Sequence, residues 1–364
     1  MKRSTLVVIL VVLGLLAVAA VVAPSLLRRQ GGAVEVIRIG APVVTGSTST
    51  QTYFGAVGVA RVKRLFEREF EADGIRVEFV GFPNGPMVAQ ALANNQIDFA
   101  GHGDMISIIA RASGARTRLI MPSQRFANAY VVVPEDSPVR QLGDLRGKRV
   151  AYAKGNFIHL QALRILQEHD LGEGDIRSVS LSPSAATAAL RAGQIDAVIA
   201  NADILLLVNQ GVGRVVYDTR ERPELGARSA IVVREDFAAA HPVLTTRVVK
   251  VLVQAGRYAS EEQRREGALG IWGTGRAVEP LRAEYEGAPM RDAVSPLLDP
   301  FIVEGYRRTQ EDVAALGFLR GRTFDIETWF DRTYLDHALK SLGLETYWTA
   351  RDAANRPIPP GAGQ

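Results

Sequence analysis

The chain has 364 residues, of which 47% are hydrophobic and 23% are charged, a balance typical of a globular protein. It contains no cysteine, which excludes disulfides, thiolate metal sites, a cysteine nucleophile and a lipid-modified cysteine anchor. The formal charge is +4, but the arginines are spread along the chain without a basic tract, so nucleic-acid binding is not predicted.

The first element in chain order is a hydrophobic segment. Lys2 and Arg3 precede an apolar run at 6–23, and Pro24 ends this run. The small residues at 17–19 suit a signal-cleavage site, whereas the length of the run also suits a membrane span of about 17–25 residues. Residues 1–33 are therefore predicted to be a signal peptide or an N-terminal membrane anchor. Either one places the remaining chain in the periplasm or on the extracellular face of the membrane.

From residue 34 onward, segments with strand and helix periodicity alternate. The first part predicts strands at 34–39, 76–80 and 97–100 and helices at 55–72 and 87–93. The second part predicts strands at 148–153, 177–181 and 197–200 and helices at 159–169 and 183–192. This alternation predicts an α/β fold in which mostly parallel sheets are flanked by helices.

An internal repeat indicates two similar lobes. The sequence Ala-Leu followed by Gln-Ile-Asp occurs within 91–98 and again within 189–196, at a constant shift of 98 residues. Both copies are typical of a helix end, a tight turn and a short strand. We therefore expect lobe I to comprise 34–130 plus 231–345, lobe II to comprise 131–230, and 346–364 to form a C-terminal tail. Short β-like runs at 130–133 and 230–233 are predicted to cross between the lobes.

Loops that follow the predicted strands form the candidate binding site, because open α/β sheets bind ligands beyond the carboxyl ends of their strands. These loops are rich in Gly, Ser, Thr and Asn, so backbone amides and helix N-termini are available to a small anionic ligand. Asn128, which precedes a crossing strand, is assigned to the same site. The candidate ligand-binding residues are Ser47, Thr48, Gly101, His102, Asp104, Asn128, Asn156, His159, Asn201 and Asp203.

Each candidate also has a purely structural interpretation. The Ser/Thr loop is equally consistent with a plain connection, and both aspartates stand where helix N-caps are expected. The two histidines are more typical of polar packing residues than of catalysts, and Asn128 is equally consistent with packing.

Common enzyme motifs are missing from the sequence. It has no Gly-x-Ser-x-Gly elbow, no phosphate loop ending in Gly-Lys-Ser/Thr, and no His-Glu-x-x-His. The five histidines are too widely spaced in the sequence to suggest a metal cluster. No catalytic residue, metal or cofactor is therefore predicted.

Four stretches of the chain resemble the type II periplasmic substrate-binding proteins of ABC importers, in the nitrate, taurine and aliphatic-sulfonate group. Residues 95–104 are similar to that family's G-x-x-D-x-G-x-x-G-D, and 142–151 to its L-x-D-L-K-G-K-x-V-A. Residues 154–159 are similar to its K-G-S-x-x-H, and 193–197 to its G-x-V-D-A. The resemblance covers residues 35 to about 345.

The resemblance implies two hinged lobes with a cleft between them, and ligand contacts from 101–104 in one lobe and 156–159 in the other. It also implies a binding protein, not an enzyme, that delivers a sulfonate-, taurine- or nitrate-like ligand to the transmembrane permease subunits of an ABC importer. The chain departs from the family where 200–203 replace an aromatic-rich stretch and Asn156 replaces a serine. Because Asp104 and Asp203 near one cleft would repel a bare anion, a zwitterion is also a candidate ligand.

Two other classes of function compete with this interpretation. The same fold serves enzymes of pyrimidine-precursor synthesis and of the menaquinone pathway, and the predicted leader segment argues against both because those enzymes are expected in the cytosol. The pyrimidine-synthesis enzymes also resemble a cysteine-bearing motif that this chain lacks. A membrane-tethered ligand sensor is the third class, and it would need an output module.

Overall fold

A computed structural model of the chain describes residues 34–45, 51–319 and 322–359. The predicted signal peptide or anchor at 1–33 and the candidate residues Ser47 and Thr48 lie outside the described residues. Among the residues that are described, no helix combines the length and the apolar character needed to cross a membrane.

Twelve strands are found in the described residues, and ten of them form two five-stranded sheets. The sheet of lobe I has the order β4-β1-β5-β12-β6, and that of lobe II has the order β11-β7-β10-β8-β9. The remaining pair, β2 and β3, forms a small antiparallel hairpin. The strands are β1 (Val36–Pro42), β2 (Val44–Thr45), β3 (Gln51–Thr52), β4 (Arg76–Phe82), β5 (Phe99–Gly103), β6 (Thr117–Ala127), β7 (Tyr130–Pro134), β8 (Arg149–Tyr152), β9 (Arg177–Ser180), β10 (Ala197–Ala200), β11 (Gly213–Asp218) and β12 (Ala227–Arg234).

Helices cover both sheets and make up most of the last third of the described chain. They are α1 (Gly55–Val62), α2 (Leu65–Phe70), α3 (Gly85–Ala93), α4 (Asp104–Ala112), α5 (Phe157–Gln167), α6 (Pro183–Arg191), α7 (Leu205–Asn209), α8 (Glu235–Ala240), α9 (Pro242–Ala259), α10 (Arg265–Trp272), α11 (Glu279–Glu284), α12 (Met290–Ala293), α13 (Pro300–Ala315), α14 (Ile326–Trp329) and α15 (Thr333–Leu342). The single helix predicted at 55–72 is divided into α1 and α2 because Arg64 adopts a left-handed conformation with a φ of 52°.

Both sheets are mixed, whereas mostly parallel sheets were expected. In each sheet two pairings are parallel and two are antiparallel. The reason is the direction of the crossings between lobes. β7 and β12 each follow a hinge crossing, so they begin at the edge of their sheet that faces the cleft and run away from it. Their neighbours β10 and β5 run in the opposite direction and end at that edge.

The crossings themselves are 128–129 and 219–226, so both precede the runs predicted for them. β6 ends at Ala127 and β7 begins at Tyr130, while β11 ends at Asp218 and β12 begins at Ala227. The predicted crossing runs at 130–133 and 230–233 belong to β7 and β12, which lie in the interior of the two sheets. Their sequences are continuously apolar because both faces of each strand are buried. In β7, alternate residues belong to two different hydrophobic clusters, one on each face of the sheet.

The internal repeat corresponds to equivalent structure in the two lobes. Asp98 accepts a hydrogen bond from the backbone amide of Arg38 at 2.9 Å, and Asp196 accepts one from the amide of Arg149 at 2.7 Å. In both cases the aspartate follows a helix and a tight turn, and its hydrogen bond is to a residue near the start of the neighbouring parallel strand. The two lobes are therefore built on the same strand–helix–strand unit.

The segment predicted to be a C-terminal tail packs on lobe I as far as residue 359. Trp348 is buried in the large cluster of that lobe, and Arg351 forms an isolated β-bridge with Pro357. The Arg351 guanidinium also bonds to Asp292 at 2.7 Å. This segment thus contributes Trp348 to the core of lobe I and is held against that lobe by Arg351.

Helix α1 packs so closely against the preceding turn that Gly58 has no room for a side chain. A Cβ atom there would lie 2.0 Å from the carbonyl oxygen of Tyr53. We expect Gly58→Ala to lower the free energy of unfolding by about 1–3 kcal/mol, because the backbone must shift. The control is Gly270→Ala in α10, where a Cβ meets nothing within 4 Å and should stabilise by about 0.5–1 kcal/mol. Urea unfolding measures both, and a neutral Gly58→Ala would contradict the close packing.

Candidate functional site

The cleft between the lobes is bordered by strand ends and helix N-termini from both sides. In lobe I, β4 and β5 end just before helices α3 and α4. In lobe II, β8 and β10 end just before α5 and the short 3₁₀ turn Ala202–Ile204. Helix N-termini carry exposed amide donors and a positive partial charge, so this arrangement favours an anion in the cleft.

The lobe II side contains Asn156 and His159. Asn156 is half-buried and caps α5 by accepting a hydrogen bond from the amide of Ile158 at 2.9 Å. The His159 ring is buried, lies 5.8 Å from the ring of Tyr152 in a nearly parallel stack, and touches the edge of Phe318 from lobe I. Burial lowers the pKa of His159, so the ring is a neutral packing group beside the cleft.

Lys154 lies in the same loop but its charge is already compensated. Its ammonium group is 2.6 Å from Glu173, which also accepts a hydrogen bond from the hydroxyl of Tyr152. These two donors lower the pKa of Glu173 to about 2. The cation closest in sequence to the α5 N-terminus is therefore held by a carboxylate of its own lobe.

Three predicted residues in lobe I are buried: Gly101, His102 and Asp104. His102 Nδ1 lies 2.6 Å from the hydroxyl oxygen of Ser107, and burial lowers the pKa of His102 to about 4. Asp104 accepts hydrogen bonds from the Thr309 hydroxyl at 3.2 Å and from the Arg228 amide at 3.3 Å. The structure thus places both polar side chains in the interior of lobe I.

Asn128 lies in the hinge. Its backbone amide donates a hydrogen bond to Glu284 at 2.8 Å, and its side-chain oxygen is 3.4 Å from the Thr219 hydroxyl of the other crossing. Thr219 in turn accepts from the amide of Ala129 at 3.0 Å. The two crossings are thereby bonded to each other, and the buried Asn128 side chain serves this contact.

Asn201 and Asp203 follow β10, and the structure brings Asp203 into contact with lobe I. Asn201 is half-buried and its side chain does not cap the following turn. Asp203 forms an ion pair with Arg276, whose Nη1 lies 2.9 and 3.2 Å from the two carboxylate oxygens. The Arg276 guanidinium also stacks over the ring of Phe54, 4.4 Å from its centroid.

The sequence analysis missed Arg276, although a signal for it exists. The segment 273–276 reads Gly-Thr-Gly-Arg, the same small polar composition as the loops chosen after strands. This segment follows a helix, and the rule about strand ends does not select such loops.

The two aspartates do not leave free negative charge in the cleft. Asp104 is enclosed by donors within lobe I, and Asp203 is paired with Arg276. The repulsion of a bare anion expected from the sequence is therefore compensated by the protein itself. A ligand amine is not required on electrostatic grounds.

Two cavities of about 420 and 470 Å³ are each lined by residues of one lobe. The first is lined by charged residues of lobe I, including Arg257 and Glu261, and the second by apolar residues between β9 and α6 of lobe II. Neither combines groups from both lobes, so we assign the site by the convergence of polar loops and not by volume. No cluster of potential metal ligands occurs among residues 34–45, 51–319 and 322–359.

Burial of neutral His102 makes stability depend on pH. The pKa of His102 is about 4 in the folded protein and 6.5 in the unfolded chain, so protonation favours the unfolded chain. The contribution of neutral His102 to the free energy of unfolding is therefore complete above pH 6.5 and is lost as the pH falls towards 4. We expect the wild type to lose about 2–3 kcal/mol more than His102→Gln between about pH 6.5 and 4.5, at roughly 1.4 kcal/mol per unit. Denaturant unfolding at each pH measures this difference.

The control is His337→Gln, which replaces an exposed histidine and should follow the wild type. Equal acid sensitivity of wild type and His102→Gln would show that His102 is protonated in the folded protein.

Comparisons with known proteins agree with this geometry. The "Putative aliphatic sulfonates-binding protein" of Escherichia coli (strain K12) is 34% identical over 146 residues, 39% of this chain and 45% of the relative, so less than half of that relative is matched. The solved structure of a "putative sulfonate ABC transporter, periplasmic sulfonate-binding protein" from Methylobacillus flagellatus KT is 26% identical with a TM-score of 0.80, over 88% of this chain and 98% of that one.

An enzyme shares the fold. A desulfurization enzyme solved with a cysteine replaced by serine, in complex with biphenyl-2-sulfinic acid, has a TM-score of 0.67 over 84% of this chain and 99% of that one, at 17% identity. This level of identity shows a common fold alone. The family model described as NMT1/THI5 like matches residues 52–266, more than half of the chain. The two-lobed architecture and this match agree: the chain belongs to the NMT1/THI5-like family.

Proposed function

We propose that this protein is the extracytoplasmic solute-binding component of an ABC importer, which captures a small sulfonate-like anion between its lobes and delivers it to the permease. The observation that carries the proposal is the convergence of helix N-termini from both lobes on one cleft. The names of the sulfonate-binding relatives support the ligand class.

Capture requires the lobes to move, and we propose that they divide close to the predicted boundaries 130/131 and 230/231, with 346–359 moving as part of lobe I. Only residues 128–129 and 219–226 lie between the strands of the two sheets. Gln161 of α5 donates to the carbonyl oxygens of Ala127 and Leu225, next to both crossings, at 2.8 and 3.4 Å. A short hinge with one shared anchor suits rigid-body closure around a ligand.

Contacts across the cleft support a closed state that the ligand would stabilise. Arg164 of lobe II lies 2.6 Å from Asp312 and 3.1 Å from Thr309, both on α13 of lobe I. Arg276 and Asp203 form the second link. A ligand that bridges the lobes would add to these contacts and shift the population towards closure.

We propose that the protein binds its ligand without converting it. The two cleft histidines are buried, and burial lowers the pKa of each, which suits packing and not proton transfer at neutral pH. The desulfurization enzyme with the same fold has a cysteine that was mutated for its structure, and this chain has no cysteine.

We also propose that the protein works in the periplasm or at the outer face of the membrane. The hydrophobic segment at 6–23 supports export, and its retention would tether the protein beside its permease.

The proposal is tested by thermal unfolding of residues 34–364 with alkanesulfonates, taurine, nitrate, bicarbonate, amino acids and thiamine-pathway pyrimidines. A true ligand at about 100 times its dissociation constant should add roughly 2.7 kcal/mol, a shift of a few degrees. Mass spectrometry of the released ligand should then show it unchanged. A stabilising sulfonate that is recovered as a different compound would favour an enzyme, and no shift with any compound would remove the assignment.

The site is tested with Asn156→Ala, which removes a cap at the cleft. We expect this variant to lose most of the ligand-induced shift. The matched control is Asp325→Ala, because Asp325 caps α14 with the same spacing, accepting from the amide of Glu327 at 3.0 Å. Each substitution costs about 0.5–2 kcal/mol of stability, but only the first should change the ligand response. A full shift in Asn156→Ala would exclude this loop from the site.

A further inference from the structure

The loop 273–276 positions Arg276 beside the N-terminus of α1 in lobe I. The amide of Arg276 donates to the carbonyl oxygen of Gly273 at 2.9 Å, which closes a tight turn after α10. The Thr52 hydroxyl donates to the carbonyl oxygen of Thr274 and joins this turn to β3. The guanidinium therefore lies over Phe54, the residue that precedes α1.

From this position Arg276 contacts a residue of lobe II across the cleft. Its ion pair with Asp203 connects the C-terminal part of lobe I to the loop after β10 in lobe II. The Arg276 side chain is 14% exposed, whereas that of Asp203 is 41% exposed, so the cation is the more deeply placed partner. Its charge is largely removed from water, which strengthens its attraction for any anion that reaches it.

The hydrogen bonding of Arg276 is incomplete. Both bonds to Asp203 use Nη1. Nε is buried and has no hydrogen-bond partner in the part of the chain that the structure describes. A buried donor without an acceptor costs free energy, and a guanidinium can hold two oxyanions at once because its five donors point along different edges.

We propose that Arg276 binds the anionic group of the ligand through its Nε edge while its Nη1 holds Asp203, so that one guanidinium both recognises the ligand and closes the lobes. The proposal rests on the proposed function and specifies its ligand class. The ligand has an oxyanion head that accepts from a guanidinium, with a hydrocarbon part that contacts the exposed portion of Phe54, as in an alkanesulfonate. A ligand amine is not needed.

A simpler role for Arg276 is a latch between the lobes. A latch depends only on the pair, so removing either partner has the same effect on ligand binding. A ligand-binding Arg276 behaves differently, because Asp203→Asn removes a competing anion and leaves the guanidinium in place. The two substitutions therefore distinguish the two roles.

The experiment is titration calorimetry of butanesulfonate and of the neutral butanesulfonamide, using the full chain. We expect Arg276→Gln to weaken butanesulfonate binding by at least tenfold, equivalent to about 1.4 kcal/mol. We expect Asp203→Asn, which removes only the contact that closes the lobes, to weaken butanesulfonate binding by less than threefold. Because both variants lose this contact, we expect them to change binding of the sulfonamide equally. The control is Arg282→Ala. Arg282 is close to Arg276 in the sequence, and it forms an exposed ion pair with Glu266.

Arg276→Lys is the second variant, and it decides the matter if Arg276→Gln does not fold. It keeps the charge but loses the planar fork, so we expect weaker binding than in the wild type together with a normal thermal transition. Equal losses in the Arg276 and Asp203 variants would overturn the inference and leave a latch. Failure of the wild type to bind butanesulfonate or any compound of the thermal panel would remove the proposed function, and this inference with it.

Discussion

The direction in which the chain crosses the hinge is the constraint on which the rest of this structure depends. A strand that enters a sheet from the hinge must begin at the cleft edge, and β7 and β12 both do so. Their neighbours β10 and β5 run the opposite way and therefore end at the cleft. Helices that follow those neighbours begin there, which concentrates amide donors and positive partial charge at one place.

A second level of organisation lies in the buried charges that join the C-terminal helices to this frame. Arg125 at the end of β6 bonds to Asp299 at 2.7 Å with both side chains almost completely buried. Asp299 also caps α13 and accepts from the amide of Arg351. Breaking such a pair leaves an uncompensated charge in the interior, so these contacts specify how the last third of the chain docks on lobe I.

Glu284 performs the same task at the hinge. It accepts from the amide of Asn128 at 2.8 Å and from the hydroxyl of Tyr130 at 2.9 Å, where lobe II begins. Burial raises the pKa of Glu284, and the hydrogen bonds from Asn128 and Tyr130 oppose this increase. The C-terminal helices are thus in contact with both lobes, and Arg276, in the same stretch of chain, reaches the cleft from there.

The sequence by itself determined the two-lobed α/β architecture, because period-two and helical patterns and a repeat shifted by 98 residues are local properties of the chain. It also predicted which strand-exit loops border the cleft. Only the tertiary structure decided which of their side chains face it, since His102, Asp104 and Asn128 find partners within the protein. Arg276 illustrates the same limit, because its contact with Asp203 joins residues 73 positions apart and depends on how the lobes close.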